Sequence, residues 1–191
     1  MAAKEQKKRL ISPVGTASFE HVWEPHAMEE GKEKKYSIVI LFDKADVPAL
    51  RELKMECVAA AEGKFGANAR ELIKKGKLRM PWRPASDYEE YGEPFTNEGS
   101  VFCAFQSKTA PGVVDRRAKP ILDRNELYSG CKVRVTYAVW PYDSNGNKGV
   151  TLLLNNVQKA GDGTRLSGKP SAEDDFDAVE GNDDDFDEDD I

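Results

Sequence analysis

The chain has 191 residues and carries 28 Lys and Arg against 34 Asp and Glu, a formal net charge of −6. That length supports one domain with appendages, and a core that needs no disulfide staples. Three Cys without a CxxC pair argue against a disulfide scaffold and fit a reducing compartment. No stretch approaches the roughly 18 apolar residues of a membrane span, and the N-terminal "MAAKEQKKRLISP" lacks the apolar run of a signal peptide. The expected location is the cytoplasm.

Residues 1–12 read as a flexible basic N-terminus. "PVGTASFEHVW" (13–23) and "KKYSIVILF" (34–42) predict strands. The second places Tyr36, Ile38, Ile40 and Phe42 on one face and Val39 and Leu41 on the other, so both faces can be covered. "PHAMEEGKEK" between them predicts a long hairpin loop. In "DKADVPALRELKMECVAAAEGKFG" the period changes. Asp46 is positioned to cap a helix with Pro48 in its first turn, Leu50, Leu53, Cys57 and Ala61 form a stripe, and Gly63 or Gly66 ends it. "ANARELIKKGK" predicts a second, shorter helix. Residues 76–99 are broken by Pro and Gly into a long loop, yet hold Trp82, Tyr88, Tyr91 and Phe95, too aromatic for plain disorder. A strand at 100–107 and short extended pieces at 112–115 and 119–122 follow. The clearest element is a hairpin, with strands 131–142 and 149–159 flanking "DSNGNKG". This order predicts a mainly β fold: an antiparallel five-stranded OB barrel over 13–162, with one or two helices on one side. A disordered acidic tail is expected over 163–191.

That tail closes with "SAEDDFDAVEGNDDDFDEDDI" (171–191), twelve acidic residues and no Lys or Arg. The rest of the chain therefore holds 22 acidic against 28 basic residues, a body of +6. Such asymmetry points toward nucleic acid or a polyanionic surface. Solubility explains the tail's charge, but not the repeat of "DDFD" at 174–177 and 184–187. A short acidic segment with a ring suits a basic, apolar-floored pocket on a partner. It also resembles nucleic acid enough to lie in its own protein's groove. Asp174, Asp175, Phe176, Asp184, Asp185, Phe186 and Ile191 are the candidate partner-binding residues.

Two regions of the body interleave cations with rings, the pattern of a single-strand groove in which rings stack bases and cations track phosphates. In strand 131–142, Val133, Val135, Tyr137 and Val139 form a core face. The opposite face carries Lys132 and Arg134 at one end and Trp140 and Tyr142 at the other, near Lys148. Polar residues outside a half-buried strand are also ordinary. In the loop, Lys74, Lys75, Lys77, Arg79 and Arg83 surround Trp82, which either stacks a base or pins the loop to the body. Arg116, Arg117, Lys119 and Arg124 form either a second basic rim or a solvated surface salt-bridged to Asp115 and Asp123.

Enzyme readings find little support. "GTRLSGKP" (163–170) has the phosphate-loop spacing, but Pro170 stands where Ser or Thr must hold Mg²⁺. His21 and His26 are the sole histidines, with no clustered Cys to complete a zinc site. No Gly-x-Ser-x-Gly turn exists, and a floppy run of carboxylates does not fix a catalytic metal. Binding without catalysis, metal or cofactor is expected.

"APGVVDRR" (110–117), "KPILDRNELYSGCKVRV" (119–135) and "NGNKGVTLLLNNVQKAGDG" (145–163) resemble the single-stranded DNA-binding proteins of tailed bacteriophages. The resemblance implies an OB fold, no cofactor, a role in phage DNA replication, recombination and repair in the infected bacterial cell, and an acidic tail that recruits replication and recombination enzymes. It carries over the surroundings of Tyr128, Lys132 and Arg134 and the Gly146–Gly149 turn. Related tails often finish on an aromatic residue, whereas this one ends in Ile191, which would leave Phe186 to serve. A protein adaptor whose tail mimics DNA is the competing reading, and the +6 body argues against it. Duplex DNA binding and homodimer formation through an edge strand stay open at this level.

Overall fold

The computed structural model describes residues 10–27, 30–87, 99–144 and 146–166. The strands are β1 (Leu10–Ile11), β2 (Gly15–His26), β3 (Lys35–Phe42), β4 (Trp82–Pro84), β5 (Val101–Ser107), β6 (Gly112–Val114), β7 (Lys132–Ser144) and β8 (Asn147–Gly161). The helices are α1 (Arg51–Phe65) and α2 (Ala69–Lys74). β2 pairs with β3, β3 with β5, β5 with β8, β8 with β7, and β7 returns to β2. Only the β5–β8 contact in this circuit is parallel. The closed circuit is the OB barrel expected from the sequence. β1, β4 and β6 dock onto β7, β5 and β8 respectively.

Alternation builds the interior. Ile38, Ile40 and Phe42 of β3 meet Cys103 and Phe105 of β5, Val133, Val135 and Tyr137 of β7, and Leu152 and Leu154 of β8. The Phe105 and Tyr137 rings meet edge to face with centroids 5.5 Å apart, a favoured aromatic geometry. Where Thr136 and Tyr137 of β7 face Asn156 and Leu154, the extra residue Asn155 bulges β8 and bends it around this core. α1 packs against β7 through the stripe read from the sequence, and Leu50, Leu53, Cys57 and Ala61 are all buried. Burial pushes the Cys57 and Cys103 thiols up to about 12, so neither is a nucleophile near neutral pH.

Several expectations need correction. Asp46 makes no capping hydrogen bond. The chain enters α1 through a 3-10 turn at Val47–Leu50, where Pro48 is pre-shaped for the first turn. Residues 10–12 are not a loose extension: Leu10 and Ile11 pair with Tyr137 and Thr136, and Ser12 exchanges hydrogen bonds with the Val135 backbone. The segment 119–122 forms only a bridge from Pro120 to Val114. Asp115 folds it back, accepting from the Arg117 and Lys119 N–H groups. The loop 76–99 contains β4; its Tyr88, Tyr91 and Phe95 lie outside the described residues.

Gly15 is where β2 crosses the core most closely. A Cβ there would stand 2.5 Å from Ile40 Cγ2 and 2.7 Å from the Leu41 carbonyl oxygen. Gly15→Ala is therefore expected to destabilise by about 1–3 kcal/mol in urea unfolding. Gly63→Ala, inside α1 with nothing within 4 Å, is expected to stabilise by roughly 0.5–1 kcal/mol. Matching unfolding midpoints for the two variants would contradict this packing.

Candidate nucleic-acid interface

The side chains of β7, β8, β5 and β3 that point away from the core form one continuous outer face. Register sets Trp140 opposite Thr151 and Ala138 opposite Leu153. Gln106 lies beside Leu153 across the parallel contact, and β3 adds Ser37 opposite Gln106 and Val39 opposite Ala104. Gln106 Nε2 donates to Thr151 Oγ1 at 2.9 Å, tying β5 to β8 across this surface. Trp140 is 45% exposed on this face, with Tyr142 two residues further along the same side of β7. In an OB barrel, the face of the second and third strands and the loops at its edge take oligonucleotides. Those strands are β3 and β5 here.

Cations reach this face from a distant part of the sequence. Gly76, with φ +67°, ends α2, and buried Leu78 anchors the next turn. The Arg79 N–H then donates to the Lys148 carbonyl at 2.9 Å, and the Arg79 carbonyl accepts from the Val150 N–H at 2.8 Å. Only glycine fits opposite: a Cβ on Gly149 would lie 2.3 Å from the Arg79 oxygen. This clasp brings the segment carrying Lys74, Lys75, Lys77 and Arg79 to the turn end of the hairpin that carries Trp140, Tyr142 and Lys148. Lys75 pairs with Glu71 at 2.5 Å and Lys148 with Asp143 at 3.1 Å. Both pairs are solvent-exposed and weak enough to exchange for phosphate. β4 continues from this clasp. Arg83, opposite Phe102, is exposed on the outer side. Trp82, opposite Cys103, packs against the core with Lys54 Nζ 5.7 Å from its ring centroid. That is the pinning geometry.

The loop from β2 into β3 supplies the other rim. Lys108 pairs with Glu33 at 2.7 Å, and this hydrogen bond holds the Glu33 carboxyl below its ordinary range. Sequence reasoning passed over Lys35, Ser37, Ala104, Gln106 and Lys108. Small and polar outward residues carry no signal singly; the strand order alone pointed to their face.

The remaining candidates gather elsewhere. Lys132 and Arg134 share the outer side of β7 with Trp140, but Arg134 lies about 20 Å before it along the strand. Each already has a partner: Lys132 Nζ donates to Thr16 Oγ1 and Arg134 Nε to Gln158 Oε1, both at 2.8 Å. Arg116, Arg117 and Lys119 occupy the turn after β6, tied to Gln158, whose Nε2 donates to the Asp115 carbonyl at 3.1 Å. Arg124 pairs with Glu24 at 3.0 Å.

Tyr128 is held by its own chain. Its hydroxyl donates to the Gly163 carbonyl at 3.1 Å and accepts from the Gly163 N–H at 3.3 Å. The Arg165 guanidinium stands 4.2 Å from its ring centroid and Lys159 Nζ 5.3 Å. The hydrogen bond from Lys159 holds the neighbouring Asp162 carboxyl below the usual range. Beyond it, the Leu166 N–H donates to the Ser129 carbonyl, and Leu166 packs with Val39, Leu41, Ala85 and Phe102. Residues 163–166, expected within a disordered tail, are thus a strap over the body that ends on the outer side of β3 and β5. Asp174, Asp175, Phe176, Asp184, Asp185, Phe186 and Ile191 lie outside the described residues.

Residues 9–187 match the family described as the ssDNA-binding protein of Enterobacter phage Enc34. The fold is similar to the single-stranded DNA-binding protein from bacteriophage Enc34 in complex with ssDNA, with a TM-score of 0.67 and 20% identity over 83% of this chain and 89% of that one. It is also similar to gp2.5, a single-stranded DNA-binding protein encoded by bacteriophage T7, with a TM-score of 0.62 and 20% identity over 92% of this chain and 98% of that one. A putative protein, p50, of Acyrthosiphon pisum secondary endosymbiont phage 1 is 27% identical over 158 residues, 79% of this chain and 82% of its own.

The placement of the rings is testable without any ligand. Trp140→Phe is expected to remove most of the acrylamide-quenchable tryptophan emission, because Trp23 and Trp82 pack against the core. Loss of that emission in Trp82→Phe instead would contradict the assignment of inner and outer faces.

Proposed function

The chain belongs to the family of the Enterobacter phage Enc34 ssDNA-binding protein, and from that premise we propose that it binds single-stranded DNA without reading its sequence. The observation that carries this reading is Trp140, exposed on the outer face of β7, with the Arg79 segment clasped to the turn end of the same hairpin. Bases stack on Trp140 and Tyr142, while Lys74, Lys77, Arg79, Arg83 and Lys148 track the backbone. Stacking tolerates any base because every base has a π face. Arg116, Arg117, Lys119, Lys132 and Arg134 serve as a second patch for longer strands. The protein acts without a cofactor in phage DNA replication, recombination and repair in the infected cell.

Within this reading the acidic tail recruits replication or recombination proteins and competes with DNA for the face. Two observations support competition. The tail's twelve carboxylates complement a +6 body, and the strap delivers the chain at Leu166 onto the outer side of β3 and β5.

Trp140→Ala is expected to weaken binding of an unstructured oligonucleotide by about 5- to 150-fold, the loss of one stacked base. Fluorescence anisotropy measures it, and undiminished affinity would overturn the stacking assignment. Arg79→Ala and Arg83→Ala are each expected to flatten the log–log salt dependence by about 0.7. Ending the chain at Pro170 is expected to tighten binding at low salt and to lose that advantage as salt rises and screens the tail. Equal affinities with and without the tail at low salt would remove competition from the account.

A further inference from the structure

A groove of about 580 Å³ runs along the outward side of α1, inside the roughly 300–1,000 Å³ range of ligand-sized clefts. Helical spacing puts Met55, Val58 and Ala59 on its floor, away from the Leu53, Cys57 and Ala61 stripe that enters the core. Val47 and Pro48 close one end. Met55 is 61% exposed, and a flexible thioether at the centre of an apolar floor suits an aromatic ring. Arg51, Lys54 and Arg70 line the groove as cations, with Glu62 as its carboxylate. Glu62 holds the Arg70 guanidinium in place through Nε at 2.5 Å and Nη2 at 3.5 Å. Glu52 and Glu56 border an adjoining hollow that Arg51, Met55 and Ala59 also line. With three cations to one carboxylate around an apolar floor, the groove fits a segment with one ring and flanking carboxylates.

We propose that this groove receives the first "DDFD" of the chain's own tail, with Phe176 against Met55 and Val58 and the aspartates at 174, 175 and 177 toward Arg51 and Arg70. The reach is sufficient. The strap packs Leu166 against the cluster that holds Leu41; the Val47 N–H donates to the Asp43 carbonyl, which folds the chain so that Val47 lies within roughly 13 Å of Leu41, and Met55 stands about 12 Å further along the 3-10 turn and α1. Phe176 lies ten residues past Leu166, an extended span of about 33 Å. The second "DDFD" lies a further ten residues along and stays available for the DNA face or a partner. Docking on α1 needs no DNA, so it stands or falls separately from the DNA-binding reading.

The test is photo-crosslinking in the full-length protein with p-benzoylphenylalanine at position 176, without DNA, mapped by mass spectrometry. Adducts within a single chain at residues 47–59 are expected. Met55→Glu, on the solvent side of α1, is expected to cut their yield at least about fivefold, the loss of one anchoring contact. Adducts confined to the outer face of β3 and β5, or adducts joining isotope-labelled to unlabelled chains, would overturn docking of the chain's own tail in this groove. So would a yield that Met55→Glu leaves unchanged.

Discussion

The pairing of β7 with β8 is the contact on which the rest of the structure depends. It runs from Lys132–Gly161 to Ser144–Asn147. Inward, it sets Val135 opposite Val157, Tyr137 opposite Leu154 and Val139 opposite Leu152. Outward, it sets Trp140 opposite Thr151. Because β8 also runs parallel to β5, the same ladder closes the barrel. Its two ends are gripped by different parts of the chain. Arg79 hydrogen-bonds on both sides of Gly149 at the hairpin end, and Tyr128 holds the Gly163 backbone just past the other. A slip of one residue would turn Trp140 inward and Val139 out, so the candidate face and the core share one register.

Charge is arranged on that frame in two patches with different partners. Near Trp140 the cations are exposed and their pairs lie at the surface, as with Lys148 and Asp143. Around β6 and the start of β7, Lys132 and Arg134 are already hydrogen-bonded to Thr16 and Gln158. A phosphate displaces weak, exposed ion pairs at the first patch and must break charge-assisted hydrogen bonds at the second. That difference favours the hairpin end as the primary contact.

The sequence made the barrel legible because its periods were strong. Leu50, Leu53, Cys57 and Ala61 announced a helix, and Val133, Val135 and Tyr137 a half-buried strand; both stripes are buried. The site was legible only in part. Trp140 sits on the face that alternation gave it. Trp82 looked equally suited to stacking, yet β4 pairs it opposite Cys103 and turns it inward, a register no local pattern reveals. Tyr128 stood in a family-like motif, but a segment more than thirty residues later covers its ring. Asp46 had the composition of a cap, whereas the turn ahead of Pro48 left its side chain unused. For Trp82 and Tyr128 the missing information is a long-range contact; for Asp46 it is the local geometry of the 3-10 turn.

The central claim is that single-stranded DNA lies on the outer face marked by Trp140. Ultraviolet crosslinking of the full-length protein to an oligonucleotide carrying 5-iodouracil, with the adduct located by mass spectrometry, tests it most directly. The account predicts the principal adduct at Trp140 or Tyr142. A principal adduct at Tyr128, or within residues 116–134, would contradict it.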